Sequence, residues 1–256
     1  MTLKIPSSIR GKDSKKAYEK IVNAIPEQEI TKLDSSTNIE PTSFNLDIVK
    51  SDYIQIPSQN FVVAIAETNK NLNYEQAHKT TIKQGLMIPT STQFMTFHNY
   101  IIGAEKNNLI IFDASGNPIN NKSRKELYNQ LTSDCWTWLN EKFNISSNKN
   151  SIEYITGLNS KDELIIQTED LENCLMENCY IDFSKLTKQG LANINAIHSK
   201  QEFSKSENIY FGHPRNGRVG GFIADSGSAY LYCDWYPSYQ YDSLGVRAVK
   251  LAGGKK

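Results

Sequence analysis

Apolar residues recur at helical spacing in the first part of this chain. A helix over residues 14–25 has one apolar face and ends before a proline. Asn73 stands at the N-cap of a second helix, and Gly85 follows it where a left-handed residue is expected. Thr90 caps the next helix, and Gln93, three residues later, completes a capping box with it. The pattern therefore predicts two consecutive helices joined by a short Leu-Met-Ile-Pro segment.

A longer helix is predicted from Ser123 to about Phe143. Ser123 and Glu126 have the spacing of a capping box. The apolar residues that follow recur every three or four positions, as on the inner face of a helix. These residues are Leu127, Leu131, Cys135, Trp138 and Leu139.

Short apolar runs bounded by turn residues predict the strands. They fall at 61–66, 108–113, 152–156, 164–168, 179–183, 217–222, 229–233 and 244–249. A turn is expected at 114–118, and a hairpin is expected to join the strands on either side of 157–161. Residues 169–207 are otherwise polar and irregular. The pattern as a whole indicates one α+β domain over residues 61–256 with long irregular insertions, preceded by an extension over residues 1–60 that packs on it.

Composition and charge are those of a globular protein without a general polyanion-binding surface. The chain has 256 residues with 39% hydrophobic and 22% charged residues, and its 28 basic residues balance 28 acidic ones. This balance of charge argues against nucleic-acid binding. Membrane insertion is not expected either, since no apolar run approaches eighteen residues. The first residues lack the apolar core of a secretory signal peptide. We expect a monomer or a small homo-oligomer.

No motif of catalysis or metal binding is present. Cys174 and Cys179 are close enough in sequence for a metal or a disulfide, but no His or second cysteine pair lies near them. The four histidines are scattered without ligand spacing. The chain is therefore expected to bind no metal and no cofactor and not to be an enzyme.

The segment 208–249 differs in composition from the rest of the chain. Six of the thirteen tyrosines lie between Tyr210 and Tyr241, and the segment contains no Lys, Glu or Met. Tyrosine with Ser, Gly and Asp is typical of recognition surfaces, because it offers a large contact area at little conformational cost. A tyrosine-rich strand and turn region that closes an ordinary domain has the same composition. From Ala229 to Cys233, alternation places Tyr230 and Tyr232 on one strand face and Leu231 on the other.

The stretch EQAHKTTIKQGLMIPTSTQF resembles a signature of the formylglycine-generating-enzyme, or sulfatase-modifying-factor, branch of the C-type lectin fold. In that signature a helix ends at Gly, an aliphatic-Pro-Thr segment follows and another helix begins. The matching residues here are Ala77, Gly85, Ile88, Pro89, Thr90 and Phe94. Thr92 stands near a position that is usually acidic in this branch. The later RVGGF and LGVRAV resemble its closing motifs, so the resemblance implies a C-type lectin fold.

Within that branch the chain is most similar to the variable proteins of diversity-generating retroelements, of the archaeal and archaeal-virus type. In these proteins a reverse transcriptase randomises template adenines, so that certain Asn codons come to encode Tyr, Asp, Ser, Gly and other residues, but never Lys, Glu or Met. The composition of 208–249 is close to that spectrum. Trp235 and Gln240 cannot arise from such codons.

The resemblance implies a ligand-binding face made of varied residues on a fixed frame. The implied ligand-binding residues are Gly212, His213, Gly221, Ile223, Asp225, Gly227, Tyr230, Tyr232, Asp234, Trp235, Tyr236, Tyr239, Tyr241 and Asp242. The implied frame comprises Arg218, Val219, Phe222, Ala224, Leu231, Ser243, Leu244, Gly245, Val246 and Arg247. Arg247 is expected to tie the last strand to a carboxylate or to backbone carbonyls, with ligand contact as the alternative.

The expected function is the display of a diversified surface that binds a protein or glycan on a host or neighbouring cell. Such a receptor or adhesion protein would belong to a virion tail or surface, or would otherwise be cytoplasmic. The alternatives are an undiversified structural or interaction protein of the same fold, and a divergent sulfatase-modifying oxidase. The oxidase uses two cysteines in its C-terminal region, where this chain has only Cys233.

Overall fold

The computed structural model describes residues 48–251, and this part of the chain is a mixed α+β structure with three helices and two sheets. The helices are α1 (Tyr74–Lys83), α2 (Ser91–Asn107) and α3 (Asn121–Ser133). The strands are β1 (Tyr53–Gln55), β2 (Phe61–Ala64), β3 (Phe112–Asp113), β4 (Cys135–Asn144), β5 (Ser151–Leu158), β6 (Leu164–Asp170), β7 (Cys179–Ile181), β8 (Ile209–Gly212), β9 (Arg218–Asp225), β10 (Ser228–Trp235) and β11 (Val249–Leu251). Between residues 48 and 251, every helix is too short or too polar to cross a lipid bilayer. The helix predicted over residues 14–25 lies outside the described residues.

The two consecutive capped helices are confirmed. The Asn73 side chain accepts a hydrogen bond from the Gln76 backbone at the start of α1, and Gly85 after this helix has φ +73°. At the start of α2, Thr90 and Gln93 bond reciprocally as the capping box requires. Since both caps depend on short-range contacts, the local sequence is sufficient to predict them.

The helix predicted from Ser123 to Phe143 is wrong at both ends. Its N-cap is Asn120, and α3 ends at Ser133. The chain then continues as the ten-residue strand β4. Seven of the ten β4 positions are buried, so the strand lacks the polar–apolar alternation that marks a strand with one exposed face.

The larger sheet has seven strands in the order β6-β5-β4-β9-β10-β8-β7. Neighbouring strands are antiparallel except β8 and β10, which run parallel. The predicted hairpin is confirmed as β5 and β6, and β7 lies within the predicted strand 179–183. One face of this sheet packs against α2 and α3, and the other packs against α1 and the residues that follow β10. The central strands are therefore covered on both faces.

The smaller sheet has four strands in the order β11-β2-β1-β3. Because β1 and β2 pair with each other, residues 53–55 share a sheet with the domain that the sequence pattern begins at residue 61. The strand predicted over 108–113 is reduced to Phe112–Asp113, since α2 continues to Asn107.

The closing segment, residues 244–249, connects the two sheets. It was predicted as one strand, but β11 begins only at Val249, and the earlier residues form isolated bridges. Gly245 bridges Thr137 of β4, and Val246 bridges Thr68 after β2. The segment cannot join a single ladder because its partners alternate between the two sheets.

Arg247 is part of the protein frame, as the resemblance implies. Its side chain is 1% exposed, and its Nη1 donates to the carbonyl oxygens of Ala64 and Ile65. Its Nη2 lies 3.7 Å from Oε1 of Glu67. These contacts attach the closing segment to the end of β2, so they leave Arg247 no access to a ligand.

Candidate ligand-binding site

The strand β10 alternates between core and surface as predicted. Ala229, Leu231 and Cys233 are buried, whereas Tyr230 and Tyr232 are half-buried. This follows from the pleat, which sends successive side chains to opposite faces of the sheet. The tyrosines therefore lie on the face opposite α2 and α3.

A row of four tyrosines crosses three strands on that face. Tyr180 of β7 is opposite Tyr210 of β8, which is opposite Tyr230 of β10. The ring centres are 5.3 Å apart in the first pair and 5.7 Å apart in the second, and both pairs are edge-to-face. Tyr232 stacks on Tyr230 with its centre 5.2 Å away. We call Tyr180, Tyr210, Tyr230 and Tyr232 the tyrosine row.

The aromatic surface continues from the tyrosine row into residues 236–243, which we call the tyrosine loop. Trp235 bridges the two, with its ring centre 5.7 Å from that of Tyr232 and 6.4 Å from that of Tyr239. Tyr239 in turn contacts Tyr236 and Tyr241, both at 5.4 Å. The rings thus form one connected surface.

The protein holds the tyrosine loop in place near its centre. The carbonyl oxygen of Pro237 accepts a hydrogen bond from the backbone N–H of Tyr74, the first residue of α1. The Gln240 side chain donates to the Asn71 carbonyl oxygen at 2.8 Å. A loop fixed in this way presents its side chains with little loss of conformational entropy on binding.

Between the tyrosine loop and the sheet lies a cavity of about 520 Å³. This volume is in the range typical of small-ligand sites. We call it the aromatic cavity; its lining is Trp136, Arg215, Arg218, Ile223, Tyr232, Asp234, Trp235, Tyr236, Tyr239, Tyr241 and Ser243. Six of these side chains are aromatic, and they include the half-exposed rings of Tyr236 and Tyr241.

Two arginines at the cavity have different surroundings. A tight turn from Arg215 to Arg218 brings both to the rim, with Gly217 in the left-handed region at φ +70°. Nε of Arg215 lies 3.7 Å from a carboxylate oxygen of Asp234. The guanidinium of Arg218 lies 3.2 Å from the ring centre of Tyr236, in a cation–π contact.

The hydroxyl groups of Tyr232 and Tyr239 stay protonated at neutral pH. Burial, followed by the neighbouring Tyr230, raises the pKa of Tyr232 to about 12. Burial and Tyr241 likewise raise the pKa of Tyr239. These groups can therefore both donate and accept hydrogen bonds.

No family model, curated protein or solved structure matches this chain. Interpretation of the site therefore depends on the side chains themselves.

Half of the residues predicted to bind ligand meet at the aromatic cavity. They are Ile223, Tyr232, Asp234, Trp235, Tyr236, Tyr239 and Tyr241. Tyr230 belongs to the tyrosine row beside the cavity, and Asp242 is exposed on the tyrosine loop. Asp225 ends β9 and Gly227 lies in the turn to β10, and Asp225 accepts hydrogen bonds from the Gly227 backbone and the Ser228 hydroxyl. His213 bonds to the Asn178 side chain, with 2.6 Å between Nδ1 and Oδ1.

Two predicted surface positions, Gly212 and Gly221, are instead buried beneath aromatic rings. A Cβ atom on Gly221 would lie 2.2 Å from the indole of Trp235, and one on Gly212 would lie 2.7 Å from the ring of Tyr232. Trp235 itself is only 7% exposed and packs edge-on against Trp138. The expectation that all the implied residues lie on a solvent-exposed face is therefore wrong for these two glycines and for Trp235, and also for Ile223, which is 9% exposed.

Several residues of the site were not predicted to bind ligand. The sequence pattern places Trp136 in a helix, and the resemblance places Arg218 and Ser243 in the frame. Arg215, Tyr180 and Tyr210 carried no assignment. The signal that could have found Trp136 is the strand-like Cys-Trp-Thr-Trp run at 135–138. The pairing of Tyr180 with Tyr210 depends on strand register, which the local sequence does not encode.

The four cysteines are separate from the aromatic cavity. Cys135 and Cys233 are fully buried, and Cys174 and Cys179 are partly buried. Burial raises the pKa of the Cys233 thiol well above its ordinary value. Over residues 48–251, no three His, Cys, Asp or Glu side chains are grouped closely enough to hold a metal ion.

Proposed function

We propose that this protein is a non-enzymatic binding protein that takes its ligand at the aromatic cavity. The observation that carries the proposal is the set of large rings left open to solvent on a fixed loop. Tyr236 is 47% exposed and Tyr241 is 45% exposed, although both adjoin a continuous aromatic surface. Tyrosine and tryptophan of this kind dominate the affinity of recognition surfaces.

The proposed scaffold is a C-type lectin fold of the sulfatase-modifying-factor branch, with a surface diversified by a retroelement. The difference between the two sides of β10 supports this proposal. Its core-facing side is aliphatic or thiol, whereas its other side carries tyrosines and an aspartate. Side chains on that other side can change without a change in the packing against α2 and α3.

The proposed partner is a protein or glycan on the surface of a host or neighbouring cell. In that setting the protein acts as a receptor-binding or adhesion component, for instance of a virion tail or surface. The tethered tyrosine loop supports such a role, because a preformed surface binds with a smaller entropic cost than a flexible one.

An undiversified interaction protein is the second candidate, and the same cavity would serve it. The two are separated by comparing the 3′ end of the gene with any nearly identical repeat nearby. Differences confined to adenines of the repeat indicate diversification, whereas the lack of a repeat removes it. Burial of Cys135 and Cys233 counts against the third candidate, a sulfatase-modifying oxidase, because that chemistry needs accessible paired thiols.

Binding at the aromatic cavity is tested with Tyr236→Ala and Tyr241→Ala on combined protein and glycan arrays. We expect each variant to weaken binding of the captured ligand by at least about tenfold, as removal of a central aromatic anchor does. Ile110→Ala is the matched control, since Ile110 is 63% exposed and does not line the cavity. Unchanged binding by both tyrosine variants would show that the ligand docks elsewhere.

A further inference from the structure

Arg218 places its guanidinium group at the edge of the aromatic cavity. No carboxylate among residues 48–251 lies within 4.0 Å of its guanidinium, whereas Arg215 is paired with Asp234. The Arg218 guanidinium rests on the face of Tyr236, and its N–H groups have no acidic acceptor within the described part of the chain. Arginine presents these donors in a planar fork that matches a carboxylate.

The tyrosine hydroxyls around the cavity also bond to no protein group within residues 48–251. Among bonds within residues 48–251, Tyr128 of α3 is the only tyrosine whose hydroxyl bonds to another side chain or to the backbone. The cavity tyrosines therefore offer ring surface for stacking and hydroxyl groups for hydrogen bonds. An amphipathic ring of this kind can stack on an apolar face of a ligand while its hydroxyl bonds to a polar edge.

We propose that the ligand of the aromatic cavity is an acidic saccharide, bound through a carboxylate on Arg218 and through sugar rings against Tyr239 and Tyr241. This inference rests on the proposed binding function and narrows it to one ligand class. A sugar ring has a C–H face that stacks on aromatic rings and hydroxyls that pair with tyrosine hydroxyls, so it matches both surfaces of the cavity.

Saccharide chemistry fits this cavity better than a protein epitope. A protein partner needs a contact area of roughly 800 Å² on each side, much of it apolar at its centre. Here the centre is a recess of about 520 Å³, and its rim carries the polar Arg215, Asp234 and Ser243. A recess of this size with charged and hydroxyl groups at its edge suits one or a few sugar units.

The tyrosine row provides a path for the rest of the saccharide chain. Its rings follow one another at 5.2–5.7 Å from Tyr232 to Tyr180, and they start at the cavity wall. Tyr232 belongs both to the tyrosine row and to the lining of the aromatic cavity. A longer oligosaccharide is therefore expected to bind more tightly than a monosaccharide with the same acidic group.

The test compares tetragalacturonic acid with its methyl ester, which has the same sugar rings and no carboxylate charge. Binding is measured by calorimetry and by quenching of tryptophan fluorescence, since Trp136 and Trp235 line the cavity. The salt concentration is about 0.15 M, to limit non-specific attraction. We expect the acid to bind about 10- to 100-fold more tightly than the ester, as a charge-assisted contact predicts.

Variants of the two arginines assign the effect to one of them. Arg218→Gln is expected to reduce affinity for the acid to that for the ester, and Arg218→Lys is expected to retain part of it. Arg215→Gln is the matched control, and its effect is expected to be smaller because its partner is Asp234. Unfolding curves show whether each variant is folded. If Arg218→Gln is unstable, the comparison of acid and ester in the unchanged protein remains decisive.

Equal affinity for acid and ester, or no binding of either, would overturn the acidic-saccharide inference. Capture of a protein or a neutral glycan through Tyr236 and Tyr241 would also overturn it, yet would leave the binding function in place. If no ligand of any class depends on those two tyrosines, both proposals fail together.

Discussion

At the scale of single residues, the contact of Gly221 with Trp235 determines which substitutions the site accepts. The indole lies so close to the Cα of Gly221 that a methyl group in this position would overlap it. Gly227, in the turn after β9, has open space around it, and its nearest atom is 3.9 Å from an added Cβ. The two glycines were both predicted as varied surface positions, but only one has room for a side chain.

Gly221→Ala is therefore expected to destabilise the protein by about 1–3 kcal/mol, the usual cost of overpacking. The measurement is the midpoint of urea unfolding. Gly227→Ala serves as control and is expected to change the free energy of unfolding by less than about 0.5 kcal/mol. An unchanged midpoint for Gly221→Ala would mean that the indole moves aside freely, and that Trp235 is no fixed wall of the cavity.

If the surface is diversified, positions 221 and 235 cannot vary independently. A larger residue at 221 requires a smaller one at 235, because both occupy the same space. Trp235 cannot arise from the randomised codons described above, so Gly221 is expected to remain glycine in folded variants that retain this tryptophan.

At the scale of elements, Glu141 couples β4 to the start of α2. Its carboxylate is fully buried and accepts hydrogen bonds from the backbone N–H and the hydroxyl of Ser91. Burial raises the pKa of Glu141 to about 8, although the two bonds from Ser91 act in the opposite direction. The Gly220 backbone covers the same carboxylate, since a Cβ on Gly220 would lie 2.6 Å from its Oε2.

The raised pKa predicts that stability falls as pH increases. The folded protein holds a proton on Glu141 up to about pH 8, whereas the unfolded chain releases it near the ordinary value of 4.5. Folding therefore binds a proton between these values, and the free energy of unfolding decreases with rising pH. For Glu141 alone, the loss between pH 6.5 and 8 is expected to be about 2 kcal/mol.

Glu141→Gln tests this coupling, because glutamine imitates the protonated carboxyl and still accepts a bond from Ser91. The expected result is a flatter dependence of the free energy of unfolding on pH in the variant than in the unchanged protein. The buried His78 and His98, whose pKa values are lowered by burial to about 3 and about 4, act in the opposite direction, because in the unfolded chain they still bind protons near their ordinary pKa of 6.5. Their contribution is the same in both proteins, so it cancels when the two curves are compared. Parallel curves for the two proteins would contradict the assignment to Glu141.

The boundary between α3 and β4 shows where sequence patterns stop being informative. The spacing of Leu127 and Leu131 continues to Cys135, Trp138 and Leu139, so helical periodicity alone extends the helix. The structure changes direction at Asp134 because β4 gains two neighbours, β5 and β9, and packing on both faces. Tertiary pairing with distant strands overrides the local pattern here, whereas the capped helices α1 and α2 depend on neighbours three residues away and were predicted correctly.

At the scale of the whole molecule, the sequence predicts the class of fold and part of the site. The mixed α+β class is confirmed, and the C-type lectin fold stays a prediction. Tyr230 and Tyr232 were assigned to the correct face because alternation is a property of the strand itself. Arg218 and Trp136 were missed because their roles depend on the register of β9 and β4 and on the position of the tyrosine loop.

The parallel pairing of β8 with β10 could not be predicted from the sequence either. Along the chain these strands are separated by β9 and the turns on either side of it, and their alignment places Tyr210 beside Tyr230. No local motif encodes that contact. The tyrosine row is therefore a product of topology, and its length is set by the number of strands that carry a tyrosine at the matching position.

The alternation of β10 makes this protein suitable for laboratory selection of new binders. A library with mixed codons at 230, 232 and 234 would change only outward-facing groups, so most of its members should fold. The same mixture at 229, 231 and 233 would replace groups packed against α2 and α3, and few members should survive. Moving the randomised codons by one position would thus separate a productive library from an unproductive one.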